Sequence, residues 1–252
     1  MSKSAIPPLP ICVDRYLPGE KFDPASRPSL AEMRSASPQE LALQKYKLWQ
    51  PGQVLRIRFL DGEPGIWKIA EDLARQWLDY ANLKFEFGNF PDAEIRVTFQ
   101  SFWGDGYWSN VGTDASKVSD PDPTIQLCGL TKDSDPLELQ RVVVHEFGHA
   151  IGCVHEQARP NSPIPWNLPV VYDYYGEHWG WNKDMVDTNI LMRYEPSQVD
   201  ASTYYDPKSI MQYPVPKELT VGGFEIGWNR ELSEMDKSFI AKMYPKLLDD
   251  NP

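Results

Sequence analysis

His145-Glu146-Phe147-Gly148-His149-Ala150-Ile151-Gly152-Cys153-Val154-His155 gathers three of the chain's four histidines into one short window. His145 and His149 are four residues apart, so on a helix both imidazoles lie on one face, a turn apart. Glu146 sits beside the first of them and can reach a water held at that face. Gly152 permits the left-handed backbone that ends a helix and reverses the chain. His155 can then swing back as a third ligand. Three neutral imidazole nitrogens plus one water make the open tetrahedral site of a catalytic zinc, with one ion per chain. An ion with a purely structural role is normally closed by a fourth protein ligand. HExxH alone occurs on many helices by accident; the glycine and the third histidine at fixed offsets remove most chance matches.

Working outward, the helix that must carry this window has a legible start. Asp135 can cap it, Pro136 suits its first position, and Glu138 is placed to complete a capping box. The helix should run to about Ile151. Upstream, Val54 to Leu60 alternates, with Leu55, Ile57 and Phe59 on one face and Arg56 and Arg58 on the other, as in a half-buried strand. Ile66, Ile69, Ala70, Leu73, Trp77 and Ala81 follow helical spacing over about 65–81. Phe85–Phe87, Ile95–Phe99, Tyr107–Val111 and Thr124–Leu127 read as further strands. Beyond Gly152 the chain reads as irregular, with Pro160, Pro163, Pro165 and Pro169 in quick succession. A last helix should start at Ser233, with Asp236 three residues on, and end near Tyr244-Pro245.

Composition bounds the function. The 252 residues carry a net charge of -11, which argues against nucleic acid as a partner. No apolar run is long enough for a membrane span. Ala5 to Val13 is apolar, but Pro7, Pro8 and Pro10 interrupt it, so no signal peptide is visible. Cys12, Cys128 and Cys153 are too few for a disulfide framework, which mildly favours a reducing compartment. Residues 1–45 are rich in Pro, Ser and charge and read as an extended leader.

The residues also carry a family likeness. The window above, followed by Ser209-Ile210-Met211-Gln212-Tyr213 as a Met-turn, resembles the metzincin zinc endopeptidases. Within them, His155-Glu156-Gln157-Ala158-Arg159-Pro160 and the Met-x-Tyr ending resemble the astacin family. Leu48-Trp49-Gln50-Pro51-Gly52, Trp108-Ser109-Asn110-Val111-Gly112 and Leu232-Ser233-Glu234-Met235-Asp236 resemble that family's domain start, cleft-rim strand and C-terminal helix start. The likeness runs in order over roughly 46–245.

The resemblance implies an α+β, two-lobe fold. An upper lobe (46–151) would hold a five-stranded twisted mixed sheet and two long helices above the zinc cleft. A lower lobe (152–252) would be mostly irregular with a C-terminal helix. Residues 1–45 would be an N-terminal extension and candidate prosegment. The implied activity is endopeptidase cleavage of polypeptides by metal-activated water. His145, His149 and His155 would bind zinc, and Glu146 would be the general base. Met211 would form an apolar floor. Tyr213 would ligate zinc at rest and stabilise the oxyanion during reaction, or else be a packed aromatic. Glu156 would pair with the freed N-terminus of a processed enzyme, or else be a surface carboxylate. Tyr107, Trp108, Ser109, Asn110 and Val111 would form an edge strand to which substrate adds antiparallel. Lys217 is either a solvated lysine or a lining of the first pocket beyond the scissile bond.

Where animal members carry disulfides, this chain has Tyr107 opposite an unmatched Cys128, so free thiols are expected. In the leader, Cys12 is a candidate zinc ligand that keeps the enzyme latent. Asp14 is the alternative blocking ligand, and a small buried side chain is the plain reading of Cys12. The competing function is a non-enzymatic or latent zinc-cleft protein that binds a peptide or an inhibitor. A monomer is expected, intracellular or non-classically secreted from its own residues, secreted by analogy with the family.

Overall fold

The computed structural model describes residues 9, 12, 47–102, 104–194 and 205–246. Most of the leader, Asp14 included, lies outside these.

Alternating apolar residues build the sheet. On β1 (Val54–Phe59), Leu55 and Ile57 are fully buried, while Arg56 turns outward to ion-pair with Glu94 and Asp92. β2 (Lys84–Phe87) and β3 (Ile95–Thr98) flank β1, both parallel to it. β5 (Ile125–Leu127) is parallel to β3, and β4 (Tyr107–Ser109) is antiparallel to β5. The order is β2-β1-β3-β5-β4, a mixed five-stranded sheet with β4 on one edge. The rim strand is therefore shorter than the 107–111 expected. Asn110 keeps one backbone bond, to Thr124 at 2.9 Å. Val111 then leaves the sheet because Gly112, at φ +51°, turns the chain against the Lys47 carbonyl, with no room there for a side chain.

Two helices pack across the sheet. In α1 (Pro64–Ala74), Ile66, Ala70 and Ala74 are the buried stripe at four-residue spacing. The helix expected over 65–81 instead tightens into a 3-10 turn at Arg75–Asp79. Trp77 stays fully buried through that change, and its Nε1 donates to the Val144 carbonyl at 2.9 Å. The second helix, α2 (Pro136–Ala150), carries the metal-binding window. Asp135 caps it by accepting from Leu137 N at 3.0 Å. The expected capping box does not form, because the Glu138 carboxylate pairs with Arg141 at 2.5 Å instead.

The lower lobe holds more helix than its proline content suggested. α3 (Leu168–Trp179) has Pro169 in its first turn, where a missing N–H costs nothing. It ends at Gly180 with φ 65°. Val171, Tyr174 and Tyr175 are its buried face. A short α4 (Lys183–Val186) and a π-helical turn at Asp187–Leu191 follow. α5 (Glu234–Met243) starts as expected, with Ser233 and Asp236 forming a reciprocal capping box. Among the described residues Cys12, Cys128 and Cys153 form no disulfide, as expected.

Gly148 shows how tightly this core is closed around the metal-binding helix. A Cβ there would meet Met211 Sδ at 2.6 Å and Trp77 Cζ2 at 2.9 Å. Glycine inside a helix costs about 1 kcal/mol against alanine, yet here the alanine methyl has nowhere to go. Gly148→Ala should therefore destabilise the fold by about 1–3 kcal/mol despite its better helix propensity. A urea titration checks this; a midpoint at or above the parent's would show that the contact relaxes freely.

Candidate metal centre

α2 delivers the first two imidazoles one turn apart, and Gly152 delivers the third. Gly152 adopts φ +101°, and a Cβ there would strike Leu48 Cδ2 at 2.7 Å. His155 is thereby turned back toward the helix. The His149 Nε2 lies 3.2 Å from His145 Nε2 and 3.0 Å from His155 Nε2. Three nitrogens that close to one another, all buried, suit a single small ion at their centre. With Zn–N bonds of about 2.0–2.1 Å, ligand nitrogens of a tetrahedral zinc lie a little over 3 Å apart.

The outer ring nitrogens fix this orientation. His145 Nδ1 lies 2.7 Å from the Ile210 carbonyl and His149 Nδ1 2.9 Å from the Cys153 carbonyl. A carbonyl only accepts, so both Nδ1 atoms carry the proton and both Nε2 lone pairs face inward. Burial, reinforced by the other two rings, pushes the His145 imidazolium pKa well below its usual value. The ring is thus the neutral species that a metal ligand must be.

Cys12 joins the three histidines. Its sulfur and the three imidazoles offer ligand atoms that all lie within 4.8 Å of one another, and all four residues are buried. The thiol also donates to Glu146 Oε2 at 3.3 Å. Tyr213 donates its hydroxyl to the Cys12 carbonyl, and the Cys12 backbone pairs with Tyr107 of β4 in the parallel sense. One leader residue therefore touches the histidine cluster, the glutamate, the tyrosine and the edge strand together.

Met211 is buried against Gly148 of the metal-binding helix, and its carbonyl accepts from Glu156 N at 3.0 Å. The turn that carries it is tied to α5. Asp236 accepts from Ser209 Oγ at 2.6 Å and from Ile210 N at 2.8 Å, and Ile210 in turn holds His145. Sequence reasoning finds Asp236 only as a helix cap; its second task depends on a partner brought near by the fold. Asp236→Ala removes charge-assisted bonds, each worth about 1.5–3 kcal/mol. The melting temperature and the zinc affinity should fall together, which calorimetry with and without added zinc would check. A melting loss with zinc affinity unchanged would confine Asp236 to capping.

Glu156 is also buried. Its Oε1 accepts from Asp206 N at 2.7 Å and lies 3.5 Å from Arg159 Nε, and burial pushes its carboxyl up to about 7. Among the rim residues, Trp108, Ser109 and Asn110 are buried and Tyr107 is half-buried. Lys217 is exposed on the turn Lys217–Leu219. The recess beside His145 is lined instead by Arg141, whose guanidinium sits 4.7 Å from the Trp228 ring. Counting one helical turn back from His145 would have found Arg141.

A solved structure of myroilysin is similar to this chain at 35% identity and a TM-score of 0.77, covering 82% of this chain and 99% of that one. A crystal structure of myroilysin gives 36% identity and a TM-score of 0.62, over 79% of this chain and 86% of the other. High choriolytic enzyme 1, a hatching-enzyme zinc-protease of the medaka fish Oryzias latipes, shares the fold at 18% identity and a TM-score of 0.53, over 79% of this chain and 95% of that one. No protein-family profile and no curated protein matches the chain.

Proposed function

The chain belongs to the astacin family of zinc metalloendopeptidases, and from that premise we propose how its residues divide the work. His145, His149 and His155 hold the ion. Zinc bound there would supply Lewis acidity, lowering the pKa of water to about 7 and polarising a carbonyl. Glu146 takes the proton from the attacking water and passes it to the amine as the C–N bond breaks. Tyr213 donates its hydroxyl to the substrate carbonyl oxygen as that oxygen gains negative charge. Its bond to the Cys12 carbonyl supports this role, since a peptide carbonyl at the centre already receives it. Met211 and Gly152 shape the site, and Glu156 anchors the loop after His155. β4 supplies the backbone edge to which an extended polypeptide adds antiparallel through Tyr107–Ser109, with Asn110 and Val111 at its end.

Residues 1–45 act as a prosegment, and 46–252 form the catalytic domain, with its lobes meeting at Gly152. Cys12 supplies the fourth donor that an open catalytic site lacks, so the leader makes the full chain latent. Asp14, the alternative blocking ligand, lies outside the described residues. The binding-protein alternative survives only in this sense, as the state before the leader is displaced. We propose that the chain works as a monomer. No described helix is long and apolar enough to cross a membrane.

The observation that carries the reading is the convergence of three Nε2 atoms beside a buried glutamate. A casein-cleavage assay on zinc-loaded protein tests it, with Cys12→Ala to open the site. Zinc uptake without any cleavage would return the chain to the binding proteins.

A further inference from the structure

The leader leaves a second print in the cleft, apart from Cys12. Leu9, three residues earlier, packs on the buried cluster that joins Cys12 and Tyr213 to Val171, Tyr174, Tyr175 and Leu219. Its backbone N donates to Tyr174 Oη at 2.9 Å. Tyr174 is 1% exposed, and its ring is held edge-on to Tyr175 at 5.0 Å. α3 thus offers an apolar shelf with one hydroxyl at its rim, and an aliphatic side chain occupies it.

The direction of the leader says which part of a substrate would use that shelf. Cys12 pairs with Tyr107 in the parallel sense. A substrate adding antiparallel to β4 runs the other way through the same cleft. Leu9 lies on the N-terminal side of Cys12, so its place falls to a substrate residue on the C-terminal side of the scissile bond. Leu9 and Cys12 are three residues apart in the sequence, and a substrate residue taking the place of Leu9 is set about two to three positions downstream of the scissile bond. Reversal swaps the N–H and C=O groups that face the rim. A tyrosine hydroxyl can accept from the one or donate to the other, so Tyr174 suits both chain directions.

We propose that the α3 face around Val171, Tyr174 and Leu219 is a substrate subsite for an aliphatic side chain two to three residues beyond the scissile bond, with the Tyr174 hydroxyl bonding the peptide backbone there. The inference rests on the endopeptidase reading above and names part of its specificity.

The test uses the full chain carrying Cys12→Ala and Leu9→Gly, which removes the thiol from the centre and the side chain from the shelf. Quenched fluorescent peptides differ only at the second and third residues after the cut, bearing Leu, Asp or Lys. Leucine should be preferred at one of these positions by on the order of tenfold or more in kcat/KM, the worth of burying one such side chain. Adding Tyr174→Phe should raise KM for every peptide with little change in kcat, leaving the leucine preference in place. Adding Tyr174→Ala should bring the leucine preference toward unity. Cleavage with equal rates for Leu, Asp and Lys at both positions overturns the subsite alone, as does a preference untouched by Tyr174→Ala. Zinc-loaded protein that cuts no peptide and no casein overturns the endopeptidase reading, and the subsite with it.

Discussion

Glu146→Gln should abolish most of the activity while leaving the metal centre standing. A general base contributes about 10²–10⁴-fold to proton transfer, so kcat/KM should fall by roughly that factor in protein already opened by Cys12→Ala. Glutamine keeps the shape and can still hydrogen-bond, but it cannot take a proton at neutral pH. Glu146 is 1% exposed, and Cys12, whose thiol donates to it, is already replaced in that protein. Zinc content and melting temperature should therefore stay near the parent's. The measurement is peptide hydrolysis alongside elemental analysis of the same preparation. Activity within a few-fold of the parent would mean that another group moves the proton.

Cys12→Ala in the full chain should do the opposite. The thiol contributes the fourth donor of the cluster and a hydrogen bond to Glu146. Removing it leaves three nitrogens and room for water, the arrangement of a working zinc site. The leader would still be held by the Tyr107 pairing and by Leu9, so release is partial. We expect at least about a tenfold gain in activity, equal to 1.4 kcal/mol of weakened blockade. The comparison is casein cleavage by the two full-length proteins after equal zinc loading. An unchanged rate would make Cys12 a buried bystander and leave the blockade to the rest of the leader.

Much of the centre is legible in the sequence because its parts are local. The histidine spacing, the Gly152 turn and the Ser233–Asp236 cap each act within a few residues, and each appears where the spacing puts it. The strands of the sheet are legible for the same reason, since alternation is a short-range signal. The parts that escape a sequence reading depend on distant partners or on ambiguous punctuation. Gly148 looks interchangeable with alanine in the sequence, yet the fold sets Met211, sixty-three residues later, against it. Glu138 has the right offset for a capping box, but Arg141, equally near in the chain, takes its carboxylate instead. α3 is hidden by four prolines, although the last of them opens that helix. Val171, Tyr174 and Tyr175 carry its periodicity, and the neighbouring aromatic residues blur the stripe.

The path from Asp236 through Ile210 to His145 also bears on how the molecule comes into being. Chains emerge from the ribosome N-terminus first, so the three imidazoles are exposed long before the residues that brace them. A nascent chain holding His145, His149 and His155 lacks the Met211 packing against Gly148 and the Asp236 brace until about eighty more residues have been made. Hydrolytic competence therefore arrives late in synthesis, when Leu9 and Cys12 have long been outside the exit tunnel and are ready to occupy the cleft as it closes.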